Sequence, residues 1–131
     1  MRRPLLHWLA RIKHLPLSDG NWSYSRAARG DDPTQGWKLH LSATILSASE
    51  VFARAEPIVR RNDVLFKVPC RLELLRSLNS GLADFSQIGK FLTIYPRSTG
   101  EALELARELH RATRGLPGPR IPFDARYRRS T

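Results

Sequence analysis

Lys38 and His40 stand two residues apart in the stretch Gly36-Trp37-Lys38-Leu39-His40-Leu41-Ser42-Ala43-Thr44. Trp37, Leu39 and Leu41 alternate there with Lys38, His40 and Ser42. A period of two predicts a β-strand with one apolar and one polar face. On such a strand the amine and the imidazole project to the same side, roughly 6–7 Å apart at their Cα atoms. Together they can offer a base and an acid to one substrate. The plainer alternative is a solvated outer face of a half-buried strand, since exposed lysine is common.

Three further residues extend the pair. Lys67 follows Phe66 in an otherwise apolar run, so it sits at an exposed edge or points into a cleft. Lys90 opens a third strand after Gly89, and Tyr95 closes it before Pro96. Strict alternation turns Lys90 away from the side that Tyr95 faces, unless a bulge intervenes or Lys90 precedes the strand proper. With Lys38 and His40 these residues would form a cationic pocket holding one imidazole, suited to an anion and most simply a phosphate. No carboxylate cluster accompanies them, so hydrolysis through a carboxylate-held metal is not expected. Such a pocket could eliminate phosphate instead. A neutral lysine removes a proton α to a carbonyl while a protonated acid assists departure of phosphate. A lysine serves as base near neutral pH only where burial or neighbouring cations lower its pKa. The histidines at 7, 14, 40 and 110 have no cysteine or carboxylate at a metal-ligand spacing, and no nucleotide-binding loop or nucleophile elbow is present.

The elements that must carry these residues can be read along the chain. Leu5, Leu9 and Ile12, with Trp8 and Leu15 close by, predict a short amphipathic helix ended by Pro16. Residues 18–34 are polar and rich in Gly and Asp, and read as loop with at most a short edge strand. A strand over 37–44 follows. Ser47 and Glu50 form a capping box for a helix to about Arg61, burying Val51, Ala55, Ile58 and Val59. Pro57 should kink or break that helix. Asn62-Asp63 is a turn, Val64 to Val68 a second strand stopped by Pro69, and 71–78 a helix on Leu72, Leu75 and Leu78. An irregular loop covers 82–89, and Lys90 to Tyr95 is the third strand. Ser98 and Glu101 cap a last helix that buries Ala102, Leu105, Ala106 and Leu109 and stops at Gly115. The order β-α-β-α-β-α predicts an α+β fold, a small mixed β-sheet packed with helices.

With 131 residues the chain supports one domain with a real core. The net charge of +10 is unevenly placed. Residues 1–30 hold six Lys/Arg and one acid, residues 111–131 six Arg and one acid, and the middle ten of each. The excess lies in the ends, which can touch RNA, anionic lipid or an acidic partner. No zinc-finger or RNA-binding signature accompanies it, which argues against specific nucleic-acid binding. No apolar run is long enough for a membrane span. The run Leu5-Leu6-His7-Trp8-Leu9 is too short and too interrupted for a secretory signal. A single cysteine, Cys70, excludes an intrachain disulfide and fits a reducing cytoplasm.

The segment Pro33-x-Gln35-Gly36-Trp37-Lys38-Leu39-His40-Leu41-Ser42-Ala43-Thr44 resembles the opening of the lyase domain in class III and class IV lanthionine synthetases. The resemblance continues through Val64-Leu65-Phe66-Lys67, Leu78-Asn79-Ser80, Ala83-Asp84 and Gly89-Lys90-Phe91-Leu92-Thr93-Ile94-Tyr95-Pro96. It ends with Gly115-Leu116-Pro117-Gly118-Pro119 and Asp124-x-Arg126-Tyr127. Those domains are similar to the phosphothreonine lyases injected by some pathogenic bacteria. The resemblance implies elimination of phosphate from phosphoserine or phosphothreonine in a precursor peptide, giving dehydroalanine or dehydrobutyrine, with no cofactor or metal. It matches Lys38 to the base, His40 to the acid that protonates the leaving phosphate, and Tyr95 to the tyrosine beside the base. It matches Lys67 to a lysine contacting phosphate and the substrate carbonyl region, and Lys90 to the glycine-lysine-phenylalanine block. At Phe85 the chain departs from the family, which usually has a phosphate-gripping arginine there.

The implied organisation is an N-terminal basic amphipathic segment and loop (1–32), a lyase-like domain (33–119) and an Arg-rich tail (120–131). The implied partners are a phosphorylated precursor peptide, with kinase and cyclase functions on separate proteins or domains. Two other readings stand beside the lyase. One is a degenerate lyase-like module that binds a phosphorylated or precursor peptide without chemistry. The other is a small basic nucleic-acid-binding protein.

Overall fold

The computed structural model describes residues 3–32, 36–80 and 90–117, and from residue 7 onward their side chains. The expected loop at 82–89, Phe85 within it, and the tail from Gly118 lie outside the described residues. Among the described residues nine elements follow in order: α1 (Arg3–Ile12), β1 (Leu17–Ser18), β2 (Trp22–Tyr24), β3 (Leu39–Leu41), α2 (Ala48–Arg61), β4 (Leu65–Pro69), α3 (Leu72–Ser80), β5 (Leu92–Tyr95) and α4 (Thr99–Thr113). The strands form one five-stranded sheet in the order β1-β2-β4-β5-β3. Its four pairings are all antiparallel, which makes the fold α+β as expected. β5 lies between β3 and β4, which therefore run parallel to each other with α2 as their connection. This is a split β-α-β arrangement.

The register divides the sheet cleanly. Leu39 pairs with Ile94 and Ile94 with Phe66, while Leu41 pairs with Leu92. These residues meet Trp8 and Ile12 of α1, Val51, Phe52, Ala55 and Val59 of α2, Leu72 and Leu75 of α3, and Leu105 and Leu109 of α4 in one apolar cluster. All four helices thus contribute to the same side. A fully buried Phe or Leu there contributes about 1.5–3 kcal/mol from removal of its surface from water.

Several expectations shift in detail. The buried stripe of α1 runs through Trp8 (0% exposed) and Ile12, and Leu9 is 50% exposed. The indole decides this rotation. Its rings meet Phe52 at 5.5 Å and Phe91 at 5.2 Å, and its Nε1–H donates to the Pro69 carbonyl at 2.9 Å. A buried indole therefore keeps its donor satisfied.

The strand expected over 37–44 is paired only at Leu39–Leu41, and Trp37 stays 39% exposed. The expected loop at 18–34 contains the hairpin β1–β2. β2 is an inner strand, paired to β4. Its turn is signalled by Asp19-Gly20, with Gly20 at φ +95°, a conformation that favours glycine. Pro69 closes β4 from within, paired with Trp22. Pro57 does not break α2, which continues to Arg61 while burying Ile58 and Val59.

The two capping boxes differ. Ser98 Oγ accepts from Glu101 N at 3.1 Å, but the Glu101 carboxylate turns to Arg97, accepting from its backbone N–H at 2.8 Å. Ser47 makes no side-chain cap. Its hydroxyl instead accepts from Thr44 N at 2.9 Å and donates to the Pro117 carbonyl at 2.6 Å. It thereby holds the start of α2 against the segment after α4. Ala106, expected in the core, is only half-buried. Gly115, at φ +87°, ends α4 as expected.

Candidate active site

The other side of the sheet carries the polar residues singled out above. His40 pairs with Thr93, Thr93 with Lys67, and Lys67 with Tyr24. Directly opposed residues of antiparallel strands share a face. One row therefore runs His40–Thr93–Lys67–Tyr24 across four strands spaced roughly 5 Å apart. Lys38 stands two residues before His40, at the position that continues the register opposite Tyr95. Its Nζ lies 5.9 Å from the centre of the Tyr95 ring. Lys38, His40, Lys67 and Tyr95 are thus brought onto one face, two strands wide of one another at most.

Lys90 joins them by a slip in the alternation. β5 begins at Leu92, yet Phe91 and Leu92 are both fully buried. Phe91 N–H donates to the Leu41 carbonyl at 3.0 Å, and Leu41 is already the register partner of Leu92. Two residues opposing one is a β-bulge. It returns Lys90 to the side of Thr93 and Tyr95, and the Lys90 charge acts on Lys67.

The electrostatics separate the lysines. Lys38 is exposed, whereas Lys67 is half-buried. Burial lowers the Lys67 pKa below the ordinary lysine value. The neighbouring Lys38 and Lys90 charges lower it further, and Asp19 opposes them. The like charges and the desolvation both disfavour the ammonium form. Burial raises the Tyr95 pKa, so its O–H keeps its proton. Thr93, between His40 and Lys67, is 4% exposed. An exposed amine, a half-buried amine of lowered pKa, an imidazole and a phenol can together hold an anion and move a proton.

The β1–β2 hairpin adds residues that the sequence reading left in a loop. Trp22 places its ring 4.4 Å from Lys67 Nζ. Tyr24 Oη donates to Asp19 Oδ2 at 3.0 Å, and Asp19 Oδ1 accepts from the backbone N–H of Asn21 and Trp22 at 2.9 and 2.7 Å. The signal was present in Leu17-Ser18-Asp19-Gly20-Asn21-Trp22-Ser23-Tyr24, where an Asp-Gly turn is flanked by short alternating runs.

A separate cavity of about 280 Å³, lined by His14, Arg26, Arg29, Arg60 and Asp63 among others, lies away from this face. Its guanidiniums are already paired: Arg26 with Asp32, Arg29 with Asp63 and Arg60 with Glu56. Among the described residues that line it, no arginine is left unpaired for an anion. Among the described residues no three His, Cys, Asp or Glu gather as metal ligands, and no helix is long and apolar enough to cross a membrane.

An α+β domain with one helix-covered sheet face and one cationic face is thus the class that fold and site define. Residues 13–131 match the family described as RamC, N-terminal domain. The chain belongs to that family. It is 40% identical over 108 residues to the Probable SapB synthase of Streptomyces coelicolor (strain ATCC BAA-471 / A3(2) / M145). That alignment covers 82% of this chain and 12% of the synthase. Both matches support the relation to lanthionine synthetases indicated by the sequence blocks.

Proposed function

We propose that this domain is a phosphoserine/phosphothreonine lyase of lanthipeptide biosynthesis, acting on a phosphorylated precursor peptide. The observation that carries the reading is the shared face of Lys38, His40, Lys67 and Tyr95, with Lys90 turned toward it by the bulge. Membership of the RamC N-terminal domain family and likeness to a synthase support the same reading.

We assign the two lysine roles from their surroundings, exchanging the expected base Lys38 for Lys67. An effective general base needs a pKa near the working pH. Lys67 is the half-buried lysine whose pKa is lowered, and Lys38 is exposed. We therefore assign Lys67 to removal of the α-proton. Lys38, beside Tyr95, goes to the phosphate or the substrate carbonyl, with Lys90. His40, two strands away across Thr93, protonates the departing phosphate oxygen. The Cα–H bond breaks, its electron pair forms the Cα–Cβ double bond, and the Cβ–O bond breaks. Tyr95, held neutral, donates a hydrogen bond.

The test is mass spectrometry of a metal-free phosphoserine peptide incubated with the chain. Loss of phosphoric acid to leave dehydroalanine is expected. An intact peptide bound by folded protein would replace the lyase with the second reading, a binding module without chemistry, which the sequence favours through Phe85.

A further inference from the structure

Lys67 and Trp22 are not directly opposed. Tyr24 is the register partner of Lys67, and Trp22 that of Pro69. The Lys67 side chain therefore leans diagonally along the sheet to bring its Nζ 4.4 Å from the Trp22 ring centre. This is well inside the roughly 6 Å range of a cation–π contact. The platform under the amine is itself fixed. Asp19 holds the Trp22 and Asn21 backbone N–H groups and the Tyr24 hydroxyl. Cys70 N–H donates to the Asn21 carbonyl at 2.8 Å, and Arg71 Nη1 to the Gly20 carbonyl at 3.1 Å.

We propose that Trp22 is a positioning residue for Lys67: its indole face sets where the amine sits on the site, and the β1–β2 hairpin is part of the active site. The inference rests on the assignment of Lys67 as the base.

Among the described residues, the groups facing Lys67 are Tyr24 from β2, Thr93 and Tyr95 from β5, His40 from β3, Lys38 and Lys90 from the strand approaches, and Asp19 from the hairpin turn. Lys38, Lys90 and burial push Lys67 toward its neutral form, and Asp19 pulls the other way. Trp22 is the ring that lies over the Lys67 amine itself, an apolar surface that also attracts a cation. It covers the amine from water yet keeps the ammonium from leaving for solvent. A lysine side chain has four rotatable bonds, and misplacing a reacting atom by about 1 Å can cost a hundredfold in rate.

The experiment uses the 131-residue chain, with lysine methylene resonances followed by NMR through a pH titration and Lys67→Arg identifying the Lys67 signal. The wild-type Lys67 Hε protons should be shifted upfield by the indole ring current, and Trp22→Leu should return them to the ordinary lysine position. Leucine keeps the apolar cover but removes the π face, so the Lys67 pKa should fall by about 0.5. With the phosphoserine peptide, Trp22→Leu should lower kcat about tenfold, leave KM within about twofold and move the acid limb of the pH profile down. Trp22→Phe, which keeps a weaker π face, should recover most of kcat.

An unshifted Lys67 signal in the wild type overturns the proposal. So does an unchanged or raised Lys67 pKa in Trp22→Leu, since the ring would then be a cover only. An unchanged kcat does so as well. Absence of elimination by the wild type would fail the lyase reading instead, and the NMR arms would still decide whether Trp22 holds Lys67. Should Trp22→Leu not fold, Trp22→Phe carries the same comparison, with an intermediate ring-current shift expected and none overturning it.

Discussion

Neighbouring residues of the same strands meet opposite fates on the two faces of this sheet. In β4, Phe66 and Val68 are sealed among four helices, while Lys67 between them is half-buried beside Trp22. In β5, Leu92 and Ile94 are dry, while Tyr95 faces Lys38. The helix-covered face is held by volume and shape, so its tolerance is that of a packed interior. The other face keeps charges close but only partly desolvated, which lowers the Lys67 pKa without removing its solvation. Stability and the proposed chemistry therefore fall to alternate residues, and substitutions should separate them.

The largest expected effect is on the polar face. Lys67→Ala should cut elimination of phosphate from a phosphoserine peptide by about a thousandfold or more, within the range of a lost general base. Its thermal midpoint should stay within about 2 °C of the wild type, because no core contact is removed. Lys38→Ala should lose less turnover and more affinity, appearing chiefly in KM. Single-turnover rates for both variants decide it. Equal abolition by Lys38→Ala with Lys67→Ala still active would return the base to Lys38.

Phe52→Ala should reverse that pattern. Phe52 is fully buried and its ring meets Trp8 at 5.5 Å and Phe66 at 6.0 Å. Its truncation should cost about 3–5 kcal/mol, read by urea unfolding. Below its shifted midpoint the folded fraction should retain near-normal turnover. A turnover loss far beyond the unfolded fraction would mean that the two faces are coupled through the sheet.

The same division explains what could be read in advance. Periodicity placed α2, α3 and α4 and most of their buried residues, because an apolar face is written in spacing alone, but it passed over Phe52 and set Ala106 in the core. Lys38 and His40 were legible for the same reason. Their partners across the sheet were not. Which strand lies beside β3 is set by the split connection around β5, a tertiary choice invisible to any local window. Trp22 was missed because a two-residue strand and a three-residue strand carry almost no periodic signal. The Phe91–Leu92 bulge shows in sequence only as two adjacent apolar residues. Ser47 and Ser98 have the same capping pattern, but the Pro117 carbonyl, 70 residues away, takes the first hydroxyl.

A smaller effect sits at the rim between the faces. Arg26 Nη1 and Nη2 grip Asp32 at 2.6 and 2.8 Å, and Asp32 also accepts from Arg29 N at 2.6 Å. Arg26 reaches the Asp63 carbonyl at 3.1 Å. The pair therefore ties the loop after β2 to the turn before β4. The hydrogen bond from Arg26 holds the Asp32 carboxyl down at about 2, below the ordinary aspartate value near 3.9. A pKa depressed on folding stabilises the native state above the unfolded pKa. That contribution is lost as pH falls from about 4 toward 2. Asp32→Asn should cost about 1–2 kcal/mol at pH 7 and flatten the stability profile in that acid window. An unchanged acid profile would mean that the loop is held by other contacts.

The smallest effect tests whether the outer helix surface belongs to either face. Arg54 Nε donates to Glu50 at 2.9 Å, one turn earlier on α2, and both side chains are about half exposed. Exposed i,i+4 pairs contribute about 0.3–0.5 kcal/mol and are screened by salt. Arg54→Ala should therefore change urea stability by less than about 0.5 kcal/mol and leave elimination untouched. Arg54 Nη1 also approaches the Ala112 carbonyl of α4 at 3.5 Å, too long to add much. A loss near 2 kcal/mol would show that this contact clamps α2 to α4, whose close packing closes the covered face, and that the arginine's methylene stem is part of that seal.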